Sequence, residues 1–116
     1  LRPAGTDVKE SWLGEKLPEN RVIIEDGVAK LPDRSSFAGS IATGRLLLEK
    51  GVNHYGFSIP ETIKMLTETP ASILGLKDRG RIEEGLRADI VIFDREYHIW
   101  DVLLNGERQF TRFSCT

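Results

Sequence analysis

The sequence predicts an α+β fold with helices in the middle and strands at both ends. Three stretches carry that expectation. Arg21-Val22-Ile23-Ile24-Glu25, Asp26-Gly27 and Val28-Ala29-Lys30-Leu31 form two apolar runs around Asp-Gly. That pattern favours a hairpin, because a type I′ turn needs φ > 0 at both central residues. Ile41 to Gly51 and Ser58 to Leu66 repeat apolar residues at helical spacing. Gly80 to Asp94 runs from a polar stretch with two glycines into Ile90-Val91-Ile92-Phe93. These β-branched and aromatic residues, bracketed by Asp89 and Asp94, predict a short strand buried on both faces.

Taken in order, Leu1 to Gly14 reads as loop, because Pro3 and Gly5 favour a turn. After the hairpin, Ser35 to Ser40 reads as a small-residue loop. It leads into a helix over 41–51 with Ser40 as N-cap, Lys50 near the C-terminal dipole and Gly51 as the left-handed stop. Ser58-Ile59-Pro60-Glu61 is a capping box with proline in the first turn. Its helix should stop near Thr69-Pro70, and a short helix over Ala71–Leu74 should end at Gly75. Gly80 and Gly85 suit turns around a short strand at Ile82. Tyr97–Leu104 and Arg108–Phe113 read as strands joined by Asn105-Gly106.

At 116 residues the chain is about one domain's worth and small for a self-contained catalytic barrel. A net charge of −2 with both signs interspersed gives no reason to propose nucleic acid or an anionic membrane as partner. No apolar run reaches a membrane span and no signal peptide opens the chain, so a soluble, cytoplasmic protein is expected. The single cysteine, Cys115, excludes a disulfide framework and is a poor nucleophile candidate, with no histidine as its sequence neighbour. The chain opens at Leu1, so it is expected to be processed or part of something longer.

Candidate chemistry is sparse. His54 and His98 belong to no metal-ligand spacing and are assigned to no metal. Asp26, Glu83, Glu84, Asp89 and Asp94 all fall at turns or strand ends and read as solvated acids, since acid or base work needs a desolvated site. No Ser/His/Asp order or phosphate-binding glycine loop is present. The start of the helix after Ser40 offers backbone N–H groups that can hold an anion or a carbonyl oxygen. Any serine-capped helix has the same pattern, and the residues alone favour that plainer reading.

Together the pieces resemble the N-acetylglucosamine-6-phosphate deacetylases of the amidohydrolase superfamily. Leu1-Arg2-Pro3-Ala4-Gly5 is similar to the stretch just after the family's catalytic aspartate, and Val22–Leu31 to its hairpin. Ser36-Phe37-Ala38-Gly39-Ser40 resembles its Leu-Ala-Gly-Ser loop, with Phe37 in place of leucine. Thr67-Glu68-Thr69-Pro70-Ala71 and Leu74-Gly75-Leu76 resemble its Thr-x-Asn-Pro-Ala and Leu-Gly-Leu elements, Thr69 departing from asparagine. The run from Gly80 to Asp94 is common to many amidohydrolases, so it indicates the superfamily and not the substrate.

The resemblance implies that residues 1–79 are the C-terminal end of a TIM-type barrel with a hairpin insertion and closing helices. Residues 80–116 would be C-terminal strands of a small β-sandwich, with no closed barrel inside this chain and with open strand edges. It implies a parent enzyme, a carbon-nitrogen hydrolase that deacetylates N-acetylglucosamine 6-phosphate with a divalent metal, zinc or iron. The metal ligands and the aspartate fall before Leu1, so no catalytic or metal residue is expected here and the chain alone should be inactive. The backbone of Phe37, Ala38 and Gly39 is implied to line the sugar-phosphate site. Implied partners are the sugar-phosphate substrate, the missing N-terminal part of the same protein and a second copy in a homodimer. The alternatives are a non-catalytic binding module of amidohydrolase ancestry, or a hydrolase of another amide or cyclic imide.

Overall fold

The computed structural model describes residues 3–112, which fall into two units, Leu1–Thr43 and Gly44–Thr116. In the first unit, β1 (Glu10–Trp12), β2 (Arg21–Glu25), β3 (Val28–Lys30) and β4 (Phe37–Gly39) form an antiparallel meander in chain order. Asp26 at φ 54° and Gly27 at φ 75° make the expected tight turn. It sets Glu25 opposite Val28 and Ile24 opposite Ala29. The alternation of side chains then puts Ser11, Val22, Ile24 and Ala29 on one face, where Val22 and Ala29 are fully buried.

Two segments expected to be loop are therefore strands. β1 lies within Leu1–Gly14, and β4 lies within the small-residue stretch Ser35–Ser40. Neither has a local signal beyond three residues; pairing to the hairpin supplies the backbone partners that make them strands.

The second unit contains α1 (Gly44–Asn53), α2 (Ile59–Leu66), α3 (Glu68–Ile73) and an antiparallel sheet of β5 (Ile90–Phe93), β6 (Ile99–Leu104) and β7 (Glu107–Thr111). α1 starts three residues later than expected and passes through Gly51, so Gly51 is not its stop. That glycine is buried because the helices cross there: a Cβ on it would lie 2.5 Å from Thr62 Cγ2. Gly56, at φ 76°, makes the turn beyond α1 instead.

The capping box of α2 is present. Ser58 N–H donates to Glu61 Oε2 at 2.9 Å, and Glu61 N–H donates to Ser58 Oγ at 3.4 Å. α2 ends at Leu66 and α3 begins at Glu68, earlier than Pro70 suggested, because proline is accommodated in the first turn of α3. Gly75 ends α3 as expected. Its N–H reaches Ser72 O at 3.0 Å and Leu76 N–H reaches Ala71 O at 2.9 Å, with Gly75 at φ 68°.

Ile82 is not in a strand and is 86% exposed. Gly80, at φ 99°, approaches α3 so closely that a Cβ there would lie 2.7 Å from Ala71 Cβ. β5 departs from the expected double burial: Val91 and Ile92, which point to opposite faces, are 51% and 49% exposed. Among the described residues neither face of the strand is fully covered by other side chains, and it is also an edge strand, paired to β6 on one side only. The open edge itself was expected. Asn105 at φ 51° and Gly106 at φ 82° form the second tight turn. Tyr97 precedes β6 in a left-handed conformation at φ 62°, and Phe113, like Leu1, Arg2 and Cys115, lies outside the described residues.

Gly51→Ala tests the α1–α2 crossing. Alanine gains about 1 kcal/mol over glycine inside a helix, but overpacking against Thr62 costs about 1–3 kcal/mol. The thermal midpoint should therefore fall or stay level in the Thr62 background, and should rise when Thr62→Ser removes Cγ2. The same shift in both backgrounds would contradict the close crossing.

Candidate functional site

The segment Phe37–Gly39 sits on β4, an edge strand paired only with β3. Ala29 pairs with Gly39 but Lys30 pairs with Phe37, so Ala38 is the extra residue of a bulge. A bulge leaves one residue out of the ladder and re-aims its neighbours. Phe37 is 76% exposed and Gly39 adopts φ 137°, a conformation that side chains on Cβ disfavour.

The approach to the bulge is tightly built. Asp33 Oδ1 accepts from Ser35 N–H at 3.0 Å and from Ser35 Oγ at 2.7 Å, and these donors hold its carboxyl below the usual range, the backbone bond contributing most. Leu31 N–H donates to Ser36 O at 3.0 Å. The cations beside the bulge are already occupied. Lys30 pairs with Asp26 at 3.0 Å and Glu25 at 3.2 Å, and Arg34 pairs with Glu25 at 2.8 Å. What the bulge presents is therefore backbone and an aromatic ring, without a committed cation.

Ser40 does not cap α1. Its Oγ accepts from Ala42 N–H at 3.1 Å, and α1 starts four residues after Ser40. The Pro3–Gly5 turn, closed by Thr6 N–H on Pro3 O at 3.0 Å, comes beside Thr43: a Cβ on Gly5 would lie 3.1 Å from Thr43 Cγ2. The fold of the first unit thus brings the Pro-Ala-Gly stretch close to the segment that follows the bulge.

Both histidines belong to the second unit. His54 is exposed and meets Tyr55 edge-on, ring centroids 4.8 Å apart. His98 joins Asp94, which is not the solvated acid that its position after a strand suggested. Asp94 Oδ1 accepts from Glu96 N–H at 3.0 Å and His98 N–H at 2.9 Å; Oδ2 accepts from Trp100 Nε1–H at 2.9 Å and contacts His98 Nδ1 at 3.1 Å. Partial burial pushes the carboxyl up, but these donors together outweigh it and hold it at about 2. Asp89 is likewise committed, accepting from Asn105 N–H at 2.7 Å. Sequence reasoning missed Asp101, which is 3% exposed and paired with Arg108 at 3.0 Å. Its signal was a single acid inside an otherwise apolar strand.

Asp94, Glu96 and His98 bring one ligand atom each within 4.8 Å of one another. They do not fit a catalytic metal, because both Asp94 oxygens are already engaged by N–H groups and the His98 ring is held by the same carboxylate. The cluster organises the turn before β6.

Asp94 contributes stability that is present above its unfolded value of 3.8 and is lost as pH falls through its folded value of about 2. Trp100 fluorescence should report loosening of the turn across that window. Asp94→Asn should be looser already at neutral pH and flat between those values; an acid transition of unchanged size in the variant would assign it to other carboxylates.

Comparison with known proteins bears on both units. A family model described as the amidohydrolase family matches residues 52–101. The α-D-ribose 1-methylphosphonate 5-triphosphate diphosphatase of Escherichia coli strain K12 is 44% identical over 57 residues, which is 47% of this chain and 15% of that protein. The N-acetylglucosamine-6-phosphate deacetylase of Thermotoga maritima superposes with a TM-score of 0.77 at 33% identity, over 94% of this chain and 29% of that one. The corresponding deacetylase of Pasteurella multocida gives a TM-score of 0.80 at 24% identity, over 91% of this chain and 27% of that one, and so speaks to fold. The chain spans less than a third of the length of these proteins. In sequence and in mixed helix-and-strand fold, it resembles a part of N-acetylglucosamine-6-phosphate deacetylases, and residues 52–101 match the amidohydrolase family.

Proposed function

We propose that this chain is the C-terminal portion of a hydrolase that converts N-acetylglucosamine 6-phosphate and water to glucosamine 6-phosphate and acetate. The observation that carries the reading is the 33% identity to the Thermotoga maritima deacetylase over 94% of the chain. A divalent metal, zinc or iron, is proposed for the parent, where it would polarise the water and the acetamide carbonyl. No described residue of this chain is assigned to it. The backbone of Phe37, Ala38 and Gly39 is proposed to line the sugar-phosphate site. The bulge supports this, because it takes Ala38 out of the ladder with β3. Residues 1–79 are proposed as the end of a barrel and residues 80–116 as strands of a small sandwich. A cytoplasmic homodimer completes the proposal; among the described residues no helix is long and apolar enough to cross a membrane.

A second reading keeps the hydrolase and changes the substrate. It is favoured by the 44% identity to the Escherichia coli diphosphatase, which is higher than the deacetylase match but covers only 47% of the chain.

The parent-length protein, purified with zinc or iron, should release glucosamine 6-phosphate and acetate from N-acetylglucosamine 6-phosphate. The 116 residues alone should show no turnover above background. Robust turnover by the short chain would overturn the placement of the catalytic groups outside it, and a parent inactive on this substrate but active on the methylphosphonate triphosphate would favour the second reading. Within an active parent, Gly39→Val should raise KM for the sugar phosphate about 10–100-fold, because the backbone loses its φ of 137°. An unchanged KM would remove Gly39 from the binding site.

A further inference from the structure

The two tight turns of this chain differ in what covers them. Asp26-Gly27 and Asn105-Gly106 share a left-handed backbone, φ 54° and 75° in the first and φ 51° and 82° in the second. A Cβ on Gly27 would meet nothing within 4 Å, whereas one on Gly106 would lie 4.0 Å from Ala88 Cβ. Gly106 N–H donates to Ala88 O at 3.0 Å, and Asn105 N–H donates to Asp89 Oδ1 at 2.7 Å. Ala88 and Asp89 lead directly into β5, whose first residue Ile90 pairs with Leu103 shortly before the turn. A type I′ turn is closed by its own strands and needs no such cover.

What the cover controls is covalent. Glycine has no side chain to shield the asparagine amide before it, and asparagine is among the thermolabile residues. When the Gly106 nitrogen attacks Asn105 Cγ, the N–Cγ bond forms and the Cγ–Nδ2 bond breaks. Nδ2 takes up the Gly106 amide proton and leaves as ammonia. Water then opens the cyclic imide at either carbonyl, giving an aspartyl or an isoaspartyl linkage, and no other reactant is needed. The attack requires the peptide plane between Asn105 and Gly106 to rotate, and the hydrogen bond to Ala88 O holds that plane.

We infer that Asn105 is a self-modification site, closed while Ala88 and Asp89 are seated on the turn and open when the start of β5 lifts away. Conversion makes the turn a one-way latch. An isoaspartyl linkage adds a methylene to a two-residue connection whose length sets the register of β6 and β7. Either product also puts a carboxylate on the residue whose N–H meets Asp89, where Arg87 already serves the Asp89 carboxylate at 3.3 Å. β5 then loses the seat it had. The inference involves the second unit alone and is independent of the substrate assigned to the parent.

The 116-residue chain is held at neutral pH, native and in urea, and conversion is followed by mass spectrometry with Asn20 and Asn53 as internal references. In urea Asn105 should convert at least about tenfold faster than either reference, and folding should slow it at least about tenfold. Asp89→Ala should recover most of the lost rate in the folded chain; Asp89→Asn, which keeps an acceptor oxygen, should not. Equal rates in the native and unfolded chain, or a folded Asp89→Ala variant as slow as the original, would overturn the inference. Hydrogen exchange of the unsubstituted chain removes any dependence on how the variants fold. Gly106 N–H should open together with Ile90–Phe93 and be protected at least about tenfold more than Gly27 N–H. Equal protection of the two glycines would count against the cover. Purified converted protein should lose exchange protection over Ile90–Phe93, and retained protection there would end the latch.

Discussion

Two left-handed dipeptides govern both sheets of this chain. Asp26-Gly27 and Asn105-Gly106 each hold two consecutive residues at positive φ, and the strands on either side follow from the turn. A two-residue connection leaves no freedom to slide, so it dictates which side chains share a face. In the first unit that choice buries Val22 and Ala29 together. In the second it sets Leu104 opposite Glu107 and Leu103 opposite Arg108, and beyond a bulge at Gln109 the buried Asp101 pairs with the Arg108 side chain. The outer strands β1, β4 and β5 pair onto these hairpins, β4 and β5 each across a register shift.

Backbone contact plays the corresponding part among the helices. Gly51 admits α2 to van der Waals range of α1 through Thr62, and Gly80 lets the chain fold back onto Ala71 of α3. Both contacts need the absence of a Cβ, and Gly80 also needs its positive φ. They matter more because the core is thin: among the described residues of the second unit, Leu48, Ala71 and Tyr97 are the buried apolar ones, with the Tyr97 hydroxyl donating to Asn53 at 3.1 Å. Much apolar surface stays outside, on β5 and on α3, in keeping with a chain that spans less than a third of its relatives.

Local chemistry made the turns, the capping box of α2 and the glycine stop of α3 legible, because each depends on residues within four positions. Burial and strand addition were not legible, since both depend on partners far along the chain. Ile90–Phe93 has the composition of a fully buried strand, yet its exposure is decided by which elements far along the chain cover its two faces. Asp94 shows the same limit for charge. Nothing in Phe93-Asp94-Arg95 announces four convergent donors; they come from a turn that brings Glu96, His98 and Trp100 onto one carboxylate.

For the candidate site, the sequence by itself determined that Phe37-Ala38-Gly39-Ser40 is a stretch worth weighing, through its order among other family-like pieces. Only the tertiary structure decided that these residues form a bulged edge strand and that Ser40 turns toward Ala42 instead of capping α1. It also decided that Gly51 is a packing contact and not a helix stop. The physical reason is common to all three. A glycine or serine supplies a conformational permission or a hydrogen-bonding group, and which of its possible uses is realised depends on the atoms that the rest of the chain brings within a few ångströms.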